Sequence, residues 1–132
     1  MALHVEFSTD IRVYGDTVKD KLKGSLVVDD KVMNVLTLES SARVSLAAAA
    51  ADVAFNMQGI TSGKLVLLES DSDFSFKLNG SSDAIALKAR TNSDDSTKVP
   101  ACAMLMSDAI TSLTLTNPDA GSAIEVDVTI AG

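Results

Sequence analysis

Few residues in this chain are of types that carry reaction chemistry, and their spacing limits what they can do. The one histidine, His4, lies in ALHVEFS on the polar phase of an alternating pattern. Any Ser-His-Asp or Cys-His site would have to use it, and its phase predicts an ordinary surface residue. The one cysteine, Cys102, sits in the apolar run PACAMLM and is expected to be a small buried hydrophobe rather than a reactive thiol. A single cysteine forbids an internal disulfide. One histidine and one cysteine also fall short of the ligand sets that zinc takes.

Carboxylates are the fairest metal candidates. ESDSD (69–73) places Glu69, Asp71 and Asp73 on alternate residues, and NSDD (92–95) adds Asp94 and Asp95. Hard cations such as calcium take oxygen donors of this kind. The EF-hand's central glycine and terminal glutamate are missing, so solvated turns are the preferred reading, with weak calcium binding at Glu69, Asp71 and Asp73 left open. Paired carboxylates also serve glycoside hydrolysis. With no Trp and 4% aromatic residues, the chain has little surface on which a sugar could stack. GITSGK (59–64) sets three residues between its glycines, and Leu65 follows Lys64. A phosphate-cradling loop needs four residues there and a Ser or Thr after the lysine. No catalytic residue, metal or cofactor is expected, and the chain is not expected to be an enzyme.

The elements that would position such residues follow from a pattern of period two. In the C-terminal segment, Ile124, Val126, Val128 and Ile130 alternate with Glu125, Asp127 and Thr129, which predicts a half-buried strand. Leu113 and Leu115 alternate with Thr114 and Thr116 just before it. The intervening NPDAG (117–121) has turn chemistry, so these two strands are expected to form a hairpin. Phe74, Phe76 and Leu78, then a turn at NGSSD (79–83), then Ile85, Leu87 and Ala89 repeat the logic. GKLVLLES (63–70) is a continuous apolar run of strand length, expected to be central and buried on both sides. VPACAMLM (99–106) reads as a strand with Pro100 at its start or on an edge, since proline gives no N–H to a ladder. Thr91–Lys98 reads as an exposed loop.

The N-terminal half alternates as well, in ALHVEFS, DIRVYG, GSLVVDD and VMNVLTLES, with a turn expected at Asp29-Asp30. Residues 45–58 are ambiguous: the alanine run favours helix, whereas Val53, Phe55 and Met57 alternate as a strand does, and strand is preferred because both neighbours are strands. Eight to ten short strands at close spacing predict one all-β domain over 1–132, a β-sandwich of jelly-roll type.

The net charge of −7 and pI near 4.5 oppose contact with a phosphate backbone, so no nucleic-acid partner is expected. No run of about twenty apolar residues suggests a membrane helix. MALHVEFSTD lacks the basic and apolar regions of a secretory signal, which predicts a chain kept, or assembled, in a cytoplasm.

The segments ITSGKLVLLESDSDFSFKLNGSSDAIALKA and AMLMSDAITSLTLTNPDAGSAIEVDVTIAG together resemble small tailed-bacteriophage virion proteins. The likeness lies in short Ser/Thr/Ala/Asp-rich strands, few aromatics and a closing regular strand, over roughly residues 59–132, with no diagnostic motif. It implies a structural subunit located in the virion. Most specifically, it implies a capsid decoration (cement) protein, acting as a homo-oligomer, a trimer by preference, and bridging major capsid proteins. The alternatives it leaves are a neck or tail component and a receptor- or carbohydrate-binding module. A binding module would read its ligand through the loops Asn79–Asp83, Thr91–Lys98 and Asn117–Gly121.

Overall fold

The computed structural model describes residues 3–14, 22–36, 38–92 and 96–132, with side chains at 38–92, 96–107 and 109–132. Among these residues there is no helix. The strands are β1 (Leu3–Tyr14), β2 (Leu22–Leu36), β3 (Glu39–Leu46), β4 (Val53–Ala54), β5 (Gly63–Ser70), β6 (Phe74–Leu78), β7 (Ile85–Leu87), β8 (Arg90–Thr91), β9 (Lys98–Val99), β10 (Ala101–Ile110), β11 (Leu113–Thr116) and β12 (Ile124–Ala131). The chain is all-β, as its periodicity predicts. It divides into two compact units, Met1–Leu36 and Thr37–Gly132. The sequence reading put all of 1–132 in one sandwich; the sandwich is built by the second unit.

That sandwich has eight strands in two antiparallel sheets, ordered β10-β5-β12-β3 and β4-β11-β6-β7. The pairs β3·β12, β4·β11, β5·β10 and β6·β7 nest inside one another. The second unit is therefore one long antiparallel hairpin rolled up, with β12·β5 and β11·β6 closing the roll. This strand order is that of a jelly roll. In chain order the strands cross repeatedly from sheet to sheet, and within the sandwich only β6 and β7 are successive strands that pair.

The core explains why these segments are strands. Val126, Val128 and Ile130 of β12, Val66 and Leu68 of β5, and Leu46 of β3 face Phe74, Phe76, Leu113 and Leu115 of the other sheet, all 2% exposed or less. Phe55 and Ile60 of the β4–β5 connection, Ala101 and Ile110 of β10 and Ile124 of β12 complete the cluster. Each such side chain contributes about 1.5–3 kcal/mol by leaving water. The aromatic rings enter from β6 and the end of β4, and compact branched residues meet them from β12 and β5.

Several local expectations change. The NPDAG hairpin is not formed: β11 pairs with β4 and β6, while β12 pairs with β3 and β5. Residues 117–123 cross between sheets instead, because turn residues permit either connection and both strands must present an apolar face to one core. Residues 45–58 are neither helix nor one strand. β3 ends at Leu46, only Val53–Ala54 pairs again, and Ala49, Asp52 and Gln58 take left-handed backbone angles of 56°, 51° and 50°. Most of the alanines in this stretch lie exposed in the connection, with no partner helix face to bury. β5 is central as expected, but its outer side is not sealed, since Leu67 is 39% exposed.

The first unit is a two-stranded antiparallel ribbon. β2 runs straight through Asp29 and Asp30, and the expected turn is a register irregularity opposite Phe7–Thr9. Two irregularities of this kind keep Leu26, Val28, Met33 and Leu36 in register with Ile11, Thr9, Val5 and Leu3.

Candidate functional site

The sandwich's most varied surface is the outer face of the β10-β5-β12-β3 sheet. Cross-strand register writes it in rows. One row is Cys102, Glu69, Asp127 and Arg43; the next is Met104, Leu67, Thr129 and Ser41; the third is Met106, Leu65, Ala131 and Glu39. Leu65 and Ala131 in the third row are buried, so a polar, mostly acidic band lies beside an exposed apolar corner of Met104, Met106 and Leu67.

In the acidic band, Arg43 donates from Nε to Asp127 Oδ1 at 2.8 Å and from Nη2 to Oδ2 at 2.9 Å, with Glu125 at 3.6 Å. The bidentate hydrogen bond raises the Arg43 pKa and holds the Asp127 carboxyl below the usual carboxylate range. Glu69, Asp71 and Glu125 line the same shallow, open depression. With one cation among four carboxylates, the depression suits contact with a basic surface.

The three candidate carboxylates do not all converge, although Glu69 and Asp71 line one depression. Glu69 lies on the outer face of β5, and Asp73 is engaged elsewhere. Lys88 Nζ donates to Asp73 Oδ2 at 2.8 Å and the Ala89 amide to Oδ1 at 3.0 Å, which lowers the Asp73 pKa, the lysine bond most. Among the described residues no group of three or more His, Cys, Asp or Glu could hold a metal ion. Asp94 and Asp95 lie outside the described residues, and for His4 only the backbone, in β1, is described.

Cys102 corrects the sequence reading: it is exposed. Ala101 is buried and Ala103 half-buried on the inner phase of β10, which leaves Cys102 on the outer phase with Met104 and Met106. An apolar run on an edge strand must put half its residues outward, and the run alone does not reveal which half.

Two asparagines were not foreseen as structural pins. Asn117, 1% exposed, donates from Nδ2 to the carbonyls of Leu46, Ala47 and Ser122 at 3.3, 3.0 and 2.8 Å, and its Oδ1 accepts from the Asp119 amide at 2.9 Å. Asn79 donates to the Ala109 carbonyl and accepts from the Thr111 amide, both at 2.8 Å. Each stands where a strand gives way to a turn and fastens a segment distant in sequence. The only sequence signal was the turn chemistry of NPDAG and NGSSD. Every buried side-chain polar atom among the described residues has a partner. No described helix is long and apolar enough to cross a membrane.

Comparison with protein-family models, with curated proteins and with solved structures finds no match to this chain.

Proposed function

We propose that the chain is a structural protein of a tailed-bacteriophage virion, a capsid decoration subunit that stabilises the head by bridging major capsid proteins. The observation that carries this reading is the sandwich's open outer sheet face, where an acidic band and an apolar corner sit on a rigid, self-satisfied fold. A shallow, open sheet face of this kind is suited to contact with another macromolecule, since small-molecule sites are deeply concave and enclosed. Jelly rolls recur in capsid proteins, although a fold by itself assigns no function.

The stabilisation works by mass action. A subunit that binds only the assembled lattice makes its disassembly less favourable, and no chemistry is required. The test is to add the purified chain to undecorated heads, then measure copy number and heat resistance. Saturation near the copy number of the major capsid protein, with raised heat resistance, is expected. A single ring's worth of copies would move the protein to the neck or tail, and failure to associate with particles would overturn the reading.

A further inference from the structure

Asn79 is the one asparagine in the chain followed by a glycine. That pair is the most reactive setting for a side-chain amide, because Gly80 has no Cβ to shield its own nitrogen and the nitrogen can close a five-membered ring on Asn79 Cγ. The pair also lies in the open. Both residues are exposed, and a Cβ placed on Gly80 would meet nothing within 4 Å, so water reaches the turn from outside. With φ of 54° at Asn79 and 68° at Gly80, and the Ser81 amide donating to the Leu78 carbonyl at 3.0 Å, these are the two left-handed central residues of a tight turn.

The Asn79 side chain, by contrast, is held. Its Nδ2 donates to the Ala109 carbonyl at 2.8 Å, and its Oδ1 accepts from the Thr111 amide at 2.8 Å and the Thr111 hydroxyl at 3.2 Å. The Asn79 main-chain amide donates to the Ser112 carbonyl at 3.0 Å. These partners belong to the end of β10 and the link that carries the chain to β11 in the other sheet. The carbon that must swing toward the Gly80 nitrogen is thus fastened through both of its heteroatoms.

We propose that Asn79 is a latent deamidation site, held inert by this clasp and converted when the β10–β11 link opens. In the open form the Gly80 nitrogen, having lost its proton to hydroxide, bonds to Asn79 Cγ. The Cγ–Nδ2 bond breaks, and ammonia leaves with a proton taken from water. Water then opens the succinimide. Cleavage between Cγ and the ring nitrogen gives aspartate, and cleavage at the main-chain carbon gives isoaspartate, with Gly80 attached through the former side chain. The sum consumes water and releases ammonia, and nothing is oxidised or reduced. Neither product restores the clasp. A carboxylate has no hydrogen to give the Ala109 carbonyl, and isoaspartate also adds a methylene to the main chain inside the turn. A transient opening is thereby turned into a lasting weakness where the chain crosses between sheets.

The test follows residue 79 by peptide mass spectrometry, with isoaspartate resolved by chromatography. The full chain stands at mildly alkaline pH in native buffer or in unfolding guanidinium chloride. Unfolded, Asn79 is expected to convert before any other asparagine. In native buffer its conversion is expected to be at least about 10-fold slower, because two hydrogen bonds of ordinary net strength must open first. Thr111→Val keeps the side chain's shape and the amide donor but removes the hydroxyl from an exposed position. It is expected to speed native conversion about 2–10-fold and to leave the unfolded rate unchanged. Converted chain returned to native buffer is expected to unfold at lower denaturant than unconverted chain, as Asn79→Asp also does. Four results would each overturn the proposal: equal native and unfolded rates, another asparagine converting first when unfolded, a native rate indifferent to Thr111→Val, or converted chain as stable as unconverted. The proposal stands apart from the virion reading, because none of these measurements involves phage heads.

Discussion

Replacing Asn117 with Asp is the sharpest test of how the sandwich is held shut. The change is isosteric, so packing is kept and only hydrogen-bond chemistry differs. The Asn117 amide donates to three backbone carbonyls, two at the end of β3 and one just before β12. A carboxylate has no hydrogen to give them, and it would set a charged oxygen among three carbonyl oxygens. Two lost donors leave buried acceptors at about 1–3 kcal/mol each, and breaking into a buried polar network with an unpaired charge costs about 3–5 kcal/mol. The expected loss is about 4 kcal/mol at pH 7, read from urea denaturation. Burial without donors raises the introduced carboxyl's folded pKa above its unfolded value of about 3.9. The destabilisation is therefore full above the folded pKa and shrinks as pH falls through it, because a protonated carboxyl regains one donor. Compared with wild type at each pH, the variant recovers about 1–2 kcal/mol by pH 4. A variant within about 1 kcal/mol of wild type at pH 7, below the usual cost of one orphaned buried group, would refute the reasoning. So would a loss that does not change with pH.

The remaining predictions concern the core, one close approach, the surface charges and the thiol. Phe76→Ala, at a site 1% exposed between the sheets, is expected to cost about 3–5 kcal/mol in urea unfolding. Gly63→Ala would bring a methyl group to 3.1 Å from Ile130 Cγ2 and 3.2 Å from the Ile110 carbonyl oxygen, and is expected to cost about 1–3 kcal/mol in the same assay. Asp73 and Asp127 have lowered pKa values, so their contribution is present above the unfolded carboxylate pKa and lost as pH falls through the folded values. An NMR titration of wild type should show both titrating below the ordinary range, with Asp127 returning toward it in Arg43→Ala. Cys102 should react with a soluble disulfide reagent in the native protein, one thiol per chain, without denaturant.

Strand existence was legible because period two is a local property. A strand with Ile124, Val126, Val128 and Ile130 in one phase can bury them only on one side, and all four lie in the core. The Phe74–Leu78 and Ile85–Leu87 strands pair as their sequence suggests, since they form the innermost hairpin of the roll. The candidate site was less legible. Glu69, Asp71 and Asp73 look alike on paper, yet Asp73 is spent on Lys88 and Ala89 while Glu69 joins the row of Asp127 and Arg43. Arg43 drew no notice in the sequence, because its partner Asp127 is 84 residues away.

By itself, then, the sequence determined the all-β class, the phase of the main strands and the acidic, aromatic-poor surface chemistry, all of which depend on residue type and near neighbours. Tertiary structure decided which strands pair. The same turn chemistry serves a hairpin at NGSSD and a sheet crossing at NPDAG, and the choice rests on contacts made from far along the chain, such as Asn117 on the carbonyls of Leu46 and Ala47. It also decided which strands lie at edges. Tertiary structure also turned Cys102, Met104 and Met106 outward, because every strand of a two-sheet sandwich has a core on one side only and the packing of Ala101 and Ile110 fixes which side of β10 that is.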